Sequence, residues 1–173
     1  MFIENNKITI EEIIENNYSK LKSELKLPDK NKTIFIFQYN GMTPFDIILF
    51  ILKNEKIKYL EINSFMISIK AVKQLQELRF KDYIENIFFR INALILKNGS
   101  SVESVFKTEN ADFINSHMKL FLIQTQNNKY VIQSSGNFTF KHDIEFITIQ
   151  NNKELFNKLK QNGKEKRTPT NIS

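Results

Sequence analysis

A chain of 173 residues is long enough for one α/β domain with its own core. A hydrophobic fraction of 41%, with sixteen Phe, excludes a disordered polymer. The absence of Cys excludes a disulfide framework, a thiolate nucleophile and a thiolate metal site, and two His argue against a His-rich zinc site within one chain. A net charge of +6 favours an anionic partner such as nucleic acid or a lipid headgroup surface, although a Lys- and Asn-rich composition also arises without any ligand.

The opening residues Met1 to Lys7 carry Glu4 and polar neighbours rather than a basic start and an apolar run, so no secretory signal is expected. Apolar runs such as Phe45–Leu52 are too short to span a bilayer. The expected location is therefore the cytoplasm, without stable membrane association.

Residues 9–25 read as a helix, with Ile10, Ile13, Ile14, Leu21 and Leu25 on one stripe, a Thr9/Glu12 capping box, and Pro28-Asp29 as the stop. Thr33–Gln38 reads as a buried strand, with Phe35 and Phe37 in the core. The turn Tyr39–Met42 follows, and Tyr39 is a candidate for stacking a base, with turn packing the favoured role. Thr43-Pro44 opens a helix with Asp46 in its first turn; such an amino end can hold an anion.

Ile57–Phe65 reads as a strand and Ile69–Phe80 as a helix. Residues Ile84–Leu96 fit a helical period through Ile84, Ile87, Phe88, Ile91, Leu94 and Ile95; Phe89-Arg90-Ile91 also suits a strand, and helix is favoured. Phe88 and Phe89 are assigned to the core. Asn98–Asn115 reads as a long polar connection. Strands follow at Lys119–Gln124, Lys129–Gln133 and Glu145–Gln150, then a helix at Lys153–Gln161. Residues 1–162 read as a single domain, with 1–30 as an N-terminal helical extension and 163–173 as a polar, disordered tail. The basic residues Lys158, Lys160, Lys164, Lys166 and Arg167 suit either a phosphate backbone or a solvated helix end.

The segment that carries chemistry is His117-Met118-Lys119, followed after two apolar strands by Ser134-Ser135-Gly136-Asn137 and then Glu145. His117 and Lys119 lie two apart on one strand face, and Ser135 and Asn137 lie two apart at the end of the next strand. A hairpin would bring the pairs together. A neutral imidazole can attack phosphorus, and a Lys ammonium and an Asn amide can donate to the non-bridging oxygens. A carboxylate can fix the His tautomer. Taken singly, His-x-Lys is usually a half-exposed strand face and Ser-Ser-Gly-Asn a turn; their order and spacing together are what point to a site.

This pattern resembles the HKD motif of the phospholipase D superfamily, in its small single-motif, nuclease-like form. His117 and Lys119 match His-x-Lys, Ser135 and Asn137 match the later Ser and Asn, and Glu145 stands where the family often has its acidic residue. The family's Asp, five residues after the Lys, falls on Gln124, and its Gly falls on Ser134. The match covers residues 115–146. The resemblance implies an α/β fold with a mixed β-sheet flanked by helices on both faces and one motif per chain. It also implies a metal-independent phosphodiesterase, without cofactor or metal, that forms a phosphohistidine in a homodimeric shared site. In that scheme His117 is nucleophile in one copy and general acid in the other. Lys119 and Asn137 hold phosphate oxygens, Ser135 supports them, and Glu145 orients a His. His142 lacks a Lys two residues later, where Ile144 stands.

A nuclease acting on DNA or RNA is the first reading. The second is a catalytically inactive, nucleic-acid-binding accessory protein of a phage or mobile element, motivated by Gln124 and Ser134. The third is a phospholipid-processing enzyme.

Overall fold

The computed structural model describes residues 10–23, 25–38, 42–94, 106, 110–137 and 145–165. Helix α1 spans Ile10–Leu21, and i→i−4 bonds from Lys22 to Tyr18 and from Leu25 to Leu21 continue beyond it. Thr9, and with it the expected capping box, lies outside the described residues. Strand β1 is Thr33–Gln38 and helix α2 is Pro44–Asn54.

Helix α2 starts where its sequence says it should. Thr43 holds an extended backbone (φ −102°, ψ 161°) and its hydroxyl accepts from the Asp46 N–H, while the Asp46 carboxylate accepts from the Thr43 N–H. Each side chain satisfies an orphan donor of the first turn. Asp46 also accepts from Asn17 of α1 at 2.8 Å, so the helix start is pinned to its neighbour. The carboxylate of Asp46 thus already occupies the amino end that the sequence offered to an anion. Thr43→Ala is expected to lower stability by about 1–2 kcal/mol in urea unfolding, with Thr43→Ser avoiding most of that loss.

Strand β2 is Ile57–Ser64, and α3 is Ile69–Phe80, capped by the Ser68 hydroxyl, which accepts from the Ala71 N–H. Then come β3 (Ile87–Asn92), β4 (Ala111–Ile114), β5 (Leu120–Thr125), β6 (Lys129–Ser134), β7 (Glu145–Asn151) and α4 (Lys153–Glu165). The helix α4 runs through Gly163, where the sequence suggested a tail, and residues 166–173 are not among those described.

The strands form one sheet in the order β1-β7-β6-β5-β2-β3-β4. β2, β3 and β4 are parallel, and the other neighbours are antiparallel. This arrangement places the C-terminal ends of β1, β2, β3 and β6 and the N-terminal ends of β5 and β7 at the same end of the sheet. That end carries the candidate chemistry.

One face packs Leu60, Ile62, Phe89, Ile91, Phe121, Ile123, Ile132, Ile147 and Ile149 under α1, α2 and α3. The opposite face is covered by α4, whose fully buried Phe156 packs with Leu120, Leu122 and Val131. Helices therefore lie on both faces of a mixed sheet. No described helix is long and apolar enough to cross a membrane.

Two segments differ from the sequence reading. Ile84–Leu96 was expected to be a helix, and its centre is strand β3. A parallel strand covered on both faces is apolar almost throughout, so its run matches a helical period by chance. β-Branched and aromatic side chains, with a length of six residues, mark it as a strand. The connection at 98–115 contains the edge strand β4, whose four residues pair in parallel with β3.

A third correction concerns Phe35 and Phe37. They were expected in the core and instead stand 70% and 63% exposed, whereas Phe89 is fully buried and Phe88 partly so. β1 is an edge strand, and α4 does not reach over its outer face.

Tyr130, on β6, is 3% exposed, and burial, with the charge of Glu55 as a smaller cause, pushes its phenol up to about 12. The folded state holds the proton that the unfolded chain releases near pH 10. Stability from this group is full below pH 10 and is lost as pH rises to about 12. Two units correspond to roughly 3 kcal/mol. Urea midpoints of wild type and Tyr130→Phe should lie close together at pH 9 and separate at pH 11.5, where wild type becomes the less stable of the two.

Candidate active site

His117 lies three residues before β5, which starts at Leu120, in a stretch fixed from below. The buried Asn92, at the end of β3, donates through Nδ2 to the Ser116 carbonyl at 2.8 Å, and the Met118 N–H donates to the Ser116 hydroxyl at 3.1 Å. His117 is exposed, and its imidazole stacks on the Phe65 ring with centroids 4.2 Å apart and planes 13° apart. Parallel stacking covers one ring face and leaves the nitrogen-bearing edge open. Phe65 follows β2 directly.

Lys119 is half-buried and stands immediately before β5. Its carbonyl accepts from the Ser134 N–H at 3.1 Å, which ties it to the end of β6. Past that point the Ser134 hydroxyl accepts from the Gly136 N–H at 3.0 Å, a local turn bond that shapes the exit from β6. Ser134, where the related motif has Gly, thus serves the turn.

Ser135 is bonded to β7 twice. Its N–H donates to the Phe146 carbonyl at 3.0 Å, and its hydroxyl accepts from the Phe146 N–H at 2.9 Å. Asn137 reaches the other way, where its Oδ1 accepts from the Met66 N–H at 3.2 Å. The acceptor side of the amide is engaged there, and its two N–H donors are left for another acceptor. Glu145 opens β7 opposite Gln38, one residue before Phe146.

The structure therefore brings all five sequence candidates to one end of the sheet. His117, before β5, and Asn137, beyond β6, both anchor on the two-residue step Phe65-Met66. Gln124 is not part of this group. It sits near the far end of β5, opposite Tyr59 and Lys129, and five residues at about 3.3 Å each put it roughly 16 Å from Lys119. At that distance Gln124 does not touch the candidate residues. Tyr39 and His142 lie outside the described residues.

Sequence reasoning missed the parts that hold the site in place. Phe65, Met66 and Asn92 come from loops and strand ends with no motif. Beneath them is a buried polar group that includes Glu61 and Asn63 of β2 and Arg90 of β3, with 1%, 2% and 7% exposure. Asn63 Nδ2 donates to the Leu120 carbonyl at 3.3 Å and to Glu61 Oε1 at 3.2 Å. The Tyr59 hydroxyl donates to Glu61 Oε2 at 2.5 Å. Arg90 Nε stands 3.4 Å from Glu61 Oε1, close enough for charge but not aligned as a hydrogen bond. This group fixes the first residue of β5, next to Lys119. The available signal was Tyr59, Glu61 and Asn63 alternating with Leu60 and Ile62 in β2.

Two other features fall away from the site. Lys160 of α4 lies over the Tyr59 ring at 3.4 Å from its centroid, drawn onto the sheet face. A cleft of about 510 Å³ opens at the opposite end of the sheet, lined by Lys30, Gln124, Asn128, Asn151 and Lys153, and it holds none of the candidate residues.

No protein-family model matches the sequence, and no curated protein matches it. Solved structures do match. NucT from Helicobacter pylori superposes with a TM-score of 0.55 at 13% identity, covering 78% of this chain and 94% of that one. Nuc from Salmonella typhimurium, described as a phospholipase D family member, gives 0.56 at 13% identity, covering 78% and 92%. Polyphosphate kinase from Porphyromonas gingivalis gives 0.51 at 9% identity, with 78% of this chain and only 23% of the kinase covered. The seven-stranded mixed sheet with helices on both faces, and its match over nearly the whole length of NucT and Nuc, give this chain the phospholipase D fold.

Proposed function

We propose that the chain is a metal-independent phosphodiesterase of the phospholipase D type, a nuclease acting on DNA or RNA, whose complete site is built by two copies. The observation that carries this reading is the convergence of His117, Lys119, Ser135 and Asn137 at one end of the sheet, on the fold shared with NucT and Nuc.

In this reading the His117 imidazole of one copy attacks phosphorus. A P–N bond forms, and the P–O bond to the leaving group breaks. The leaving oxygen takes a proton from the His117 imidazolium of the second copy. Water then gives its proton to that second imidazole and attacks phosphorus; a P–O bond forms, the P–N bond breaks, and the phosphate product leaves with the first imidazole restored. Lys119 and the N–H donors of Asn137 stabilise charge on the non-bridging oxygens. Ser135 acts through the backbone of β7, and Glu145, at the start of β7, is assigned to orienting a His. Each copy supplies one His-x-Lys, so a lone chain lacks the second acid–base His.

The test is cleavage of labelled single- and double-stranded DNA and RNA in EDTA, by wild type and His117→Ala. Cleavage that persists in EDTA and vanishes in the variant supports the reading. A dimeric, folded wild type that cleaves none of these substrates would contradict it and favour the binding-protein reading.

A further inference from the structure

Phe35 and Phe37 on β1 are 70% and 63% exposed, and Phe146 on β7 is 45% exposed. Phe37 pairs with Phe146 across the ladder, and the Phe35 ring lies 6.1 Å from that of Phe146 at 29°. The three rings form one apolar surface on the part of the sheet that α4 leaves open. Their ladder neighbours on this face, Thr33, Gln133, Thr148 and Gln150, are uncharged.

The surface adjoins the candidate site. Phe146 is the residue bonded to Ser135 through both its N–H and its carbonyl, two residues from Asn137. Phe35 and Phe37 are same-face neighbours on a strand, about 6.7 Å apart, which is close to two steps of stacked nucleotides at about 3.4 Å each. An uncharged aromatic surface meets base faces and not phosphates, and only unpaired bases expose those faces. The net charge of +6 supplies the general attraction for a polyanion.

We propose that Phe35, Phe37 and Phe146 form a stacking platform for unpaired bases, which leads single-stranded nucleic acid to the phosphodiester site. The proposal rests on the nuclease reading for what happens at that site, but not for binding. A second copy paired along the β1 edge does not explain the surface. Three strand spacings separate β5 from β1. With one more spacing between copies, the two His117 would stand roughly 34 Å apart at about 4.8 Å per spacing, too far to share one phosphate.

Binding is measured in EDTA by fluorescence anisotropy, using a His117→Ala background so that no turnover intervenes. The probes are labelled oligothymidylate, an abasic strand of equal length, and a duplex. The platform predicts oligothymidylate binding about ten-fold or more tighter than abasic. Adding Phe35→Leu and Phe37→Leu, which keep apolar bulk but remove the rings, should erase that difference and leave abasic binding unchanged. Equal oligothymidylate affinity with and without the rings overturns the proposal. So does a fall in solution mass on Phe35→Ala/Phe37→Ala with unchanged strand binding, which would make the surface a protein interface. Base-dependent binding without wild-type cleavage would sink the nuclease reading alone, and cleavage with ring-independent binding would sink the platform alone.

Discussion

Replacing His117 with Ala should lower the rate of phosphodiester cleavage by about three orders of magnitude or more, because under the proposed mechanism it removes both the nucleophile and the general acid of a shared site. The fold should survive, since His117 is exposed and its main contact is a stack on Phe65. A urea midpoint close to that of wild type would separate the catalytic loss from unfolding. Lys119→Ala and Asn137→Ala should each cost on the order of 10²–10³ in kcat, the scale for removing one donor to a developing anion. Asn137→Asp is a sharper probe, since it keeps the acceptor for the Met66 N–H but removes the N–H donors and adds repulsion toward phosphate. If it behaves like wild type, Asn137 has only the structural role.

The largest stability effect is expected at Arg90. Glu61 is 1% exposed, and Arg90 Nε stands 3.4 Å from its carboxylate as a balancing cation. Arg90→Ala leaves a buried carboxylate that keeps its bonds from the Tyr59 hydroxyl and the Asn63 amide but loses this cation. The cost should be about 3–5 kcal/mol, while a joint replacement, Glu61→Gln with Arg90→Met, should recover most of it. Stability alone would not show the link to the site. Asn63 also holds the Leu120 carbonyl, so a loosened network should lower kcat in the single variant even at temperatures where it is fully folded. Full activity of folded Arg90→Ala would mean that the network supports the core and not the position of Lys119.

The sequence made the site legible for a physical reason. A hairpin of two apolar strands forces the residues before the first and after the second to the same end, so His117, Lys119, Ser135 and Asn137 could be placed together from spacing alone. Helix α2 was equally legible, because Thr43, Pro44 and Asp46 are local signals with local partners. What stayed hidden depends on tertiary contacts. Whether Phe35 and Phe37 are covered depends on how far α4 reaches, which no residue of β1 records. The run through Ile87 and Ile91 carries two periods at once, an alternation of Ile87, Phe89 and Ile91 with Phe88, Arg90 and Asn92, and a helical spacing through Ile84, Phe88 and Ile91, so its pattern alone does not choose. The Phe65-Met66 step gains its role only because β2 lies beside β5, a pairing between segments 57 residues apart at Asn63 and Leu120. Gln124 shows the converse: as a departure from a motif it suggested lost chemistry, and it stands at the far end of β5, away from the candidate residues.

The central claim is that two copies make one site from two identical motifs, and subunit mixing tests it most directly. Wild type and His117→Ala are unfolded together, refolded at varied ratios, and assayed in EDTA at constant total protein. A shared site needing both His predicts activity that falls with the square of the wild-type fraction, to about a quarter at equal mixing. Activity that falls linearly, to about a half, would mean that each chain works alone and would contradict the account.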